Sequence, residues 1–467
     1  MKARSFLLGA IIPFLLSACG GGSYSSPPPP PSQFTIGGSV SGLAGTGLVL
    51  QDNGGDNLAV SANGSFTFKT AVKSGGAYSG AAYSVTVFSQ PSSPAQTCVV
   101  TNGSGTATSN VSNVQVTCTT PPPVITSFDI PGAGTAAGQG TFGWAIDDAN
   151  GAIAGRYIDS SNAFHGFLRA PDGTITKFDV SGAGTASGEG TLPYSISSGA
   201  IAGVYVDANG VNHSFLRAAD GTITTFDVSS AGTNSGQGTQ GRNINASGEI
   251  AGFYVDASNV YHCFLRAADG TITTFDVSGA GTGAGQGTAM NGVDNLNATG
   301  AISGWYLDAS NVQHGYMRAS DGTITKFDVS GAGAGVGQGT DVSGINASGT
   351  ITGTLLDASN VHHGYMRASD GTITKFDVSG AGAGVGQGTF VQNINASGAI
   401  AGLYRDASNV NHGFARAPDG TITSFDAPSA GTGSGQGTIP ISNEASGNIT
   451  GFYVDASNVR HGFLRTP

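Results

Sequence analysis

The sequence predicts an all-β protein: a small β-sandwich followed by a seven-bladed β-propeller of about 49-residue repeats, closed by the N-terminal strand of the array. Three observations predict it. The chain combines 77 glycines with only 10% charged residues, and its apolar residues fall in short Val/Ile/Thr/Phe/Tyr runs between Gly, Asn and Asp. Such runs carry the strand period and no helical one. The stretch 124–467 repeats itself on histidines His165, His213, His262, His314, His363, His412 and His461, at gaps of 48, 49, 52, 49, 49 and 49 residues. A period near fifty in an all-β chain suits a four-stranded propeller blade. Finally, the two ends of the array are complementary. Six histidine strands are followed by an Asp-Gly turn and a further strand, the seventh is not, and the array opens with an orphan copy of that strand, Val124 to Asp129. Joining the two closes a ring and leaves no edge at the seam, whereas an open solenoid would need capping repeats.

The chain starts with a short targeting pattern, 1–18. Lys2 and Arg4 precede an apolar run, Phe6 to Leu16, broken by Gly9 and Pro13, too short to span a bilayer as a mature helix. The run ends in Leu16-Ser17-Ala18-Cys19, which resembles the lipobox of bacterial lipoproteins. That resemblance implies cleavage before Cys19 and lipidation of its sulfur. Because Gly20 stands where an Asp would favour retention in the inner membrane, it also implies an outer-membrane address, open to surface display. The lipid would be the membrane partner, each buried methylene contributing about 0.8 kcal/mol. Residues 19–33 form a tether of Gly, Ser and the run Pro27 to Pro31, which favours an extended spacer.

Residues 34–120 have turn signals of their own, Asp52-Asn53-Gly54-Gly55 and Ala62-Asn63-Gly64, between alternating segments such as Tyr83 to Phe88. They predict a small β-sandwich serving as a spacer. Cys98 and Cys118 are expected to form a disulfide that staples its last hairpin, because the exported compartment is oxidising. Their spacing is not that of a Cys-x-x-Cys redox pair.

One clear copy of the repeat shows how each blade, within 124–467, is cut. Arg242 to Asn245 is a strand, and Ala246-Ser247-Gly248 turns into a second, Glu249 to Asp256. A hairpin turn at Ser258-Asn259, residues that tolerate positive φ, leads to a third strand, His262 to Arg266. An Asp269-Gly270 turn gives the fourth, Thr271 to Val277, and a Gly-rich passage crosses to the next blade. The pattern Ile-Asn-Ala-Ser-Gly-x-Ile-x-Gly-x-Tyr followed by His-Gly-Phe-Leu-Arg resembles the extracellular HAF repeat family, named for a His-Ala-Phe core. The resemblance covers 124–467 and implies an exported bacterial repeat protein without an assigned chemistry. Asp-Gly-Thr-Ile-Thr-x-Phe is also similar to part of the streptogramin B lyase repeat, but the Trp-Phe-Thr-Glu-like strand of that family is absent here.

Each repeat offers an Asp closing its second strand, as Asp256 does, the histidine named above, and an arginine four residues later. These arginines are Arg169, Arg217, Arg266, Arg318, Arg367, Arg416 and Arg465. Strand alternation puts His262, Phe264 and Arg266 on one face, and Asp256 with His262 flanks one hairpin. Asp, His and Arg together could bind an anion, orient a base or ligate a metal. Seven identical copies mark no single site, so a hydrogen-bonded clip holding the hairpin is the expected role. No catalytic residue and no metal ligand is assigned.

The Gly-rich passages, such as Gly331 to Gly339, are followed by no helix that would present phosphate-binding donors. The Asp-Ala-Ser-Asn turns could attract calcium, yet turn chemistry explains them without an ion, and no cofactor is expected. The net charge of −11 argues against a nucleic-acid partner. Departures from the repeat are the better place to look for a site: Trp144, Trp305, Arg156, Arg242, Arg405 and Arg460, with the unmatched carboxylates Asp147, Asp148, Asp341 and Glu444. The expected function is a non-enzymatic, monomeric surface module that binds a glycan or a protein. The alternative is a lyase or hydrolase acting at the channel mouth.

Overall fold

The computed structural model describes residues 30–467 apart from 77, 78, 93, 94 and 292. The targeting pattern and Cys19 lie outside the described residues. The chain divides into two compact units, Met1–Thr120 and Pro121–Pro467.

In the first unit two four-stranded sheets enclose one core. One sheet runs in the order Gly64–Thr67, Ile36–Ser41, Val111–Thr119, Thr97–Thr101, and the other Asp56–Val60, Leu48–Asp52, Ala81–Ser89, Ser104–Ala107. Val111–Thr119 shows why a strand forms here: Val114, Val116 and Cys118 are buried while their neighbours are exposed, the period of a half-buried strand. They pack with Ile36, Leu48 and Leu50. Cys98 and Cys118 are disulfide-bonded and are cross-strand partners. They do not staple a simple hairpin, however. Between them the chain passes through Ser104–Ala107, a strand of the opposite sheet, and Val111–Thr119 pairs in parallel with Ile36–Ser41 on its other side.

The second unit is a closed ring of antiparallel strands, a β-propeller. Among the described residues the strands fall into seven groups of four. The first group is Gly140–Ile146, Ile153–Ile158, Phe164–Arg169 and Ile175–Phe178, each antiparallel to the next. Equivalent groups open at Gly190, Gly238, Gly287, Gly339, Gly388 and Gly437. The seventh group takes its fourth strand from the start of the array, where Val124–Phe128 pairs with Arg460–Thr466. First strands are buried almost throughout and fourth strands are half exposed, so the first strands stand innermost.

Contacts between blades repeat with the sequence. Arg169 lies over the ring of Phe128 in the preceding blade at 5.1 Å, and Phe128 meets Phe167 edge-on at 6.1 Å. Arg217 with Phe178, Arg266 with Phe226 and Arg465 with Phe425 do the same. Aromatic pairs of this kind contribute about 0.5–1.5 kcal/mol beyond the area they bury. The blades approach closely at the head of each first strand. Gly140 sits at φ 116°, and a Cβ there would stand 2.0 Å from the carbonyl oxygen of Arg460, so no other residue fits.

Candidate functional site

The repeated polar residues form clips, with one more partner than the sequence reading named. His165 Nδ1 lies 2.9 Å from Asp179 and its Nε2 3.4 Å from Asp159, while its ring stacks on Tyr157. His213, His262, His314, His363, His412 and His461 are each bracketed by two carboxylates in the same way. The second carboxylate ends the fourth strand, and its signal was the Asp that follows the Phe of each such strand. Asp159 also accepts the turn N–H groups of Ser161 and Ala163, which satisfies the turn without an ion. The repeat arginines do not join this group. Four residues along a strand is about 13 Å, and at that distance Arg169, Arg217, Arg266, Arg318, Arg367, Arg416 and Arg465 cap rings of the neighbouring blade. Asp, His and Arg therefore form no common site.

The axis of the ring is located by one cavity of about 330 Å³, lined by equivalent first-strand ends from several blades: Ile146 and Asp147, Ile196, Ile244 and Asn245, Ile345 and Asn346, Ile394 and Asn395. Part of it is occupied by an insertion. The 52-residue gap between His262 and His314 reflects extra residues in the fourth blade, whose first strand stops at Ala289. Val293 there is buried in a cluster with Ala145, Ile196 and Ile441 of three other blades. Asp294 accepts a hydrogen bond from Asn393 Nδ2 at 2.6 Å, two blades away, and its backbone oxygen accepts from Ile345. The insertion thus plugs the channel. Burial pushes the Asp294 carboxyl up to about 6, helped by the charge of Asp148. Asp147, Asp148 and Glu444 gather at this mouth. Asp147 accepts from Ser198 and Gly199, and Asp148 accepts from the N–H of Ala445, next to Glu444.

Farther along the first strands, at Trp144, Tyr194 and Arg242, the departures from the repeat converge. Arg156 from the second strand of the first blade and Arg460 from the third strand of the seventh join them. The Arg156 guanidinium lies 4.0 Å from the Trp144 ring, 5.1 Å from Phe142 and 5.7 Å from Tyr194. Arg242 stacks on Tyr194 at 3.9 Å and approaches Phe253 at 5.3 Å, and Arg460 lies 5.1 Å from Phe142. Arg242 lines a cavity of about 370 Å³ together with Gln240, Phe253 and Tyr261. Several donors here are buried without a hydrogen-bond partner among protein atoms: Trp144 Nε1, Arg156 Nε and Nη1, Arg242 Nε and Arg460 Nε. Burial lowers the Arg156 pKa from its ordinary value, and the like charges of Arg242 and Arg460 add to that. Tyr194 is lowered too, for a different reason. Burial opposes its ionisation, but Arg242 and Arg156 outweigh it and lower the phenol.

Two further sectors complete the belt. Trp305 Nε1 donates to Asn291 Oδ1 at 3.0 Å, and Asn291 Nδ2 with Gln313 Nε2 donates to Asp341 Oδ1 at 2.8 and 2.9 Å. Burial pushes Asp341 up to about 6 against these bonds. Arg405 lies 5.2 Å from Phe390, which also packs on His362. Trp305 meets Tyr261 edge-on at 6.4 Å and so adjoins the Arg242 cavity, whereas Arg405 has Phe390 as its aromatic partner. Sequence reasoning missed Tyr194, Phe142 and Gln240, whose only signal was their variability at a first-strand position. Among the described residues no group of three or more His, Cys, Asp or Glu side chains is disposed to hold a metal.

No protein-family model and no curated protein matches this chain. Among solved structures, a lectin from Burkholderia pseudomallei aligns over 69% of this chain and 94% of its own, at 9% identity and a TM-score of 0.46. Puromycin hydrolase aligns over 69% of this chain and only 50% of its own, at 11% identity and a TM-score of 0.41. A six-bladed β-propeller lectin from Aleuria aurantia aligns over 57% and 88%, at 16% identity and a TM-score of 0.35. These likenesses assign no activity.

Proposed function

We propose that this chain is a non-enzymatic recognition module of the bacterial cell envelope, lipid-anchored through Cys19 and binding a glycan in the belt of non-repeated side chains. The observation that carries the reading is the convergence of Trp144, Arg156, Tyr194, Arg242 and Arg460, drawn from different blades, with donors left unpaired. A ring built from near-identical blades has no structural need to break its own repeat at five neighbouring positions. Half-buried aromatic rings with convergent polar groups are the usual make-up of a small-ligand site.

The second reading, a lyase, is favoured by one feature. A tyrosine whose phenol is lowered by Arg242 and Arg156 has the chemistry of a general base for abstracting a proton beside a carboxylate. The test of both is titration of the purified full chain with a glycan panel by calorimetry, followed by product analysis. Saturable binding without turnover supports recognition. Turnover abolished by Tyr194→Phe transfers the function to the lyase. Neither binding nor turnover removes both readings and directs attention to a protein partner. The anchor is tested separately: Cys19→Ala is expected to abolish palmitate labelling and release the protein from the outer-membrane fraction.

A further inference from the structure

Resting on the binding reading above, we infer that the ligand is an acidic saccharide whose carboxylate is seated between Arg156, Arg242 and Arg460. Three observations support this. In this cluster the buried atoms without a protein partner are all donors, namely Trp144 Nε1, Arg156 Nε and Nη1, Arg242 Nε and Arg460 Nε, although Arg242 Nη2 also donates to Gln240 and Arg460 Nη1 to the Gly138 carbonyl. A ligand that fits them supplies acceptors. Three guanidinium groups share one region without a carboxylate partner. Among the described residues every ion pair is instead a His–Asp pair. Buried like charges without counter-charge are costly, and an anion relieves that cost. A carboxylate matches the planar fork of an arginine bidentately, and the cavity that Arg242 lines also presents the rings of Phe253 and Tyr261, against which a pyranose packs. The net charge of −11 leaves a nucleic acid no extended basic track for its phosphates, whereas a short acidic saccharide needs only this one cluster of arginines.

The inference separates from the reading it rests on in one experiment. The full chain is titrated with oligogalacturonate, with its carboxyl-reduced counterpart and with neutral oligosaccharides, following Trp144 fluorescence in a Trp305→Phe background. The expected result is binding of oligogalacturonate at least tenfold tighter than the reduced form, and weakening as salt is raised. Equal affinity for both forms overturns the carboxylate and leaves glycan recognition standing, while no binding of any saccharide overturns both. Arg242→Gln is expected to lose about ten- to hundredfold in affinity for the acid, the usual worth of a charge-assisted pair, and to change affinity for the reduced form little. Arg460→Gln gives the same readout should Arg242→Gln fail to fold. Since these arginines repel one another, each variant is expected to melt no lower than the parent while binding falls. An Arg242→Gln or Arg460→Gln protein that keeps full affinity also overturns the inference.

Discussion

His461 Nδ1 lies 3.0 Å from the carboxylate of Asp129, 332 positions earlier in the chain. In the other blades the same contact joins residues 14 apart, as between His165 and Asp179. A local clip has become the latch of the ring, with the strand Val124–Phe128 behind it. The pair itself is partly exposed, so Asp129→Ala is expected to cost no more than about 1 kcal/mol, close to the cost of Asp179→Ala. Deleting 124–128 is a different matter, because it bares the edge of Arg460–Thr466. Unpaired edges template association, so this variant is expected to form oligomers that grow with concentration, measured by light scattering. A deletion variant that stays monomeric with an unchanged melting temperature would show that the ring does not depend on its latch.

The clips also predict how the protein responds to acid. Asp159, Asp207, Asp256, Asp308, Asp406 and Asp455 have carboxyls below their ordinary value; burial acts against this, and the turn N–H bonds with the adjacent histidine outweigh it. In Asp357 the turn N–H of Val361 leads. A carboxyl that is a stronger acid when folded contributes stability above its unfolded value of 3.8 and loses it as pH falls through the folded value. The melting temperature is therefore expected to drop steeply below about pH 4. Replacing one clip aspartate by asparagine, as in Asp256→Asn, should flatten that limb. An identical acid limb in the variant would remove the clips from the account.

How much of this was legible in the sequence depends on the distance over which each feature is decided. Turns are local: Asn259 sits at φ 63° and Gly210 at 77°, as the Asn and Gly at the hairpins required. The period and the orphan strand at Val124 pointed to the ring because both are one-dimensional patterns. Face assignments within a strand followed from alternation, which is how His262 and Arg266 could be placed on one side. Alternation says nothing about which blade that side meets, so the capping of Phe226 by Arg266 went unread. The channel plug was visible only as a 52-residue gap, a length without a direction. Tyr194 was unreadable for the same reason: its partners Arg156 and Arg242 come from other blades.

Cys263 offers a probe of the ring's local opening. It is fully buried, its sulfur lies 3.3 Å from the Tyr316 hydroxyl, and burial raises its thiol well above the ordinary value. Thiolate is the reactive form, so iodoacetamide at pH 8 is expected to leave Cys263 untouched in the native protein and to modify it fully in denaturant. Mass spectrometry after timed exposure measures this. Rapid modification in buffer would mean that the blade carrying Cys263 opens on its own.

Asp294 and Asp341 act on stability in the opposite sense to the clips, and together they set the shape of the pH profile. Burial pushes both up to about 6, so the folded chain holds their protons more tightly than the unfolded chain, whose carboxyls ionise at 3.8. Their contribution is complete below the unfolded value and is lost as pH rises through the folded one. Added to the acid limb of the clips, this predicts a melting-temperature maximum near about pH 4 and a decline that levels off above about pH 6. Asp294→Asn tests the second half directly. The amide keeps an oxygen to accept from Asn393 Nδ2 and removes the charge from the plug, so the variant is expected to melt higher than the parent at pH 7, by a margin that shrinks steadily as pH falls toward the unfolded value of 3.8. A variant that is equally or less stable at pH 7 would mean that the carboxylate at the channel mouth is compensated as it stands, and that Asp294 holds the plug by its charge as well as by its hydrogen bond.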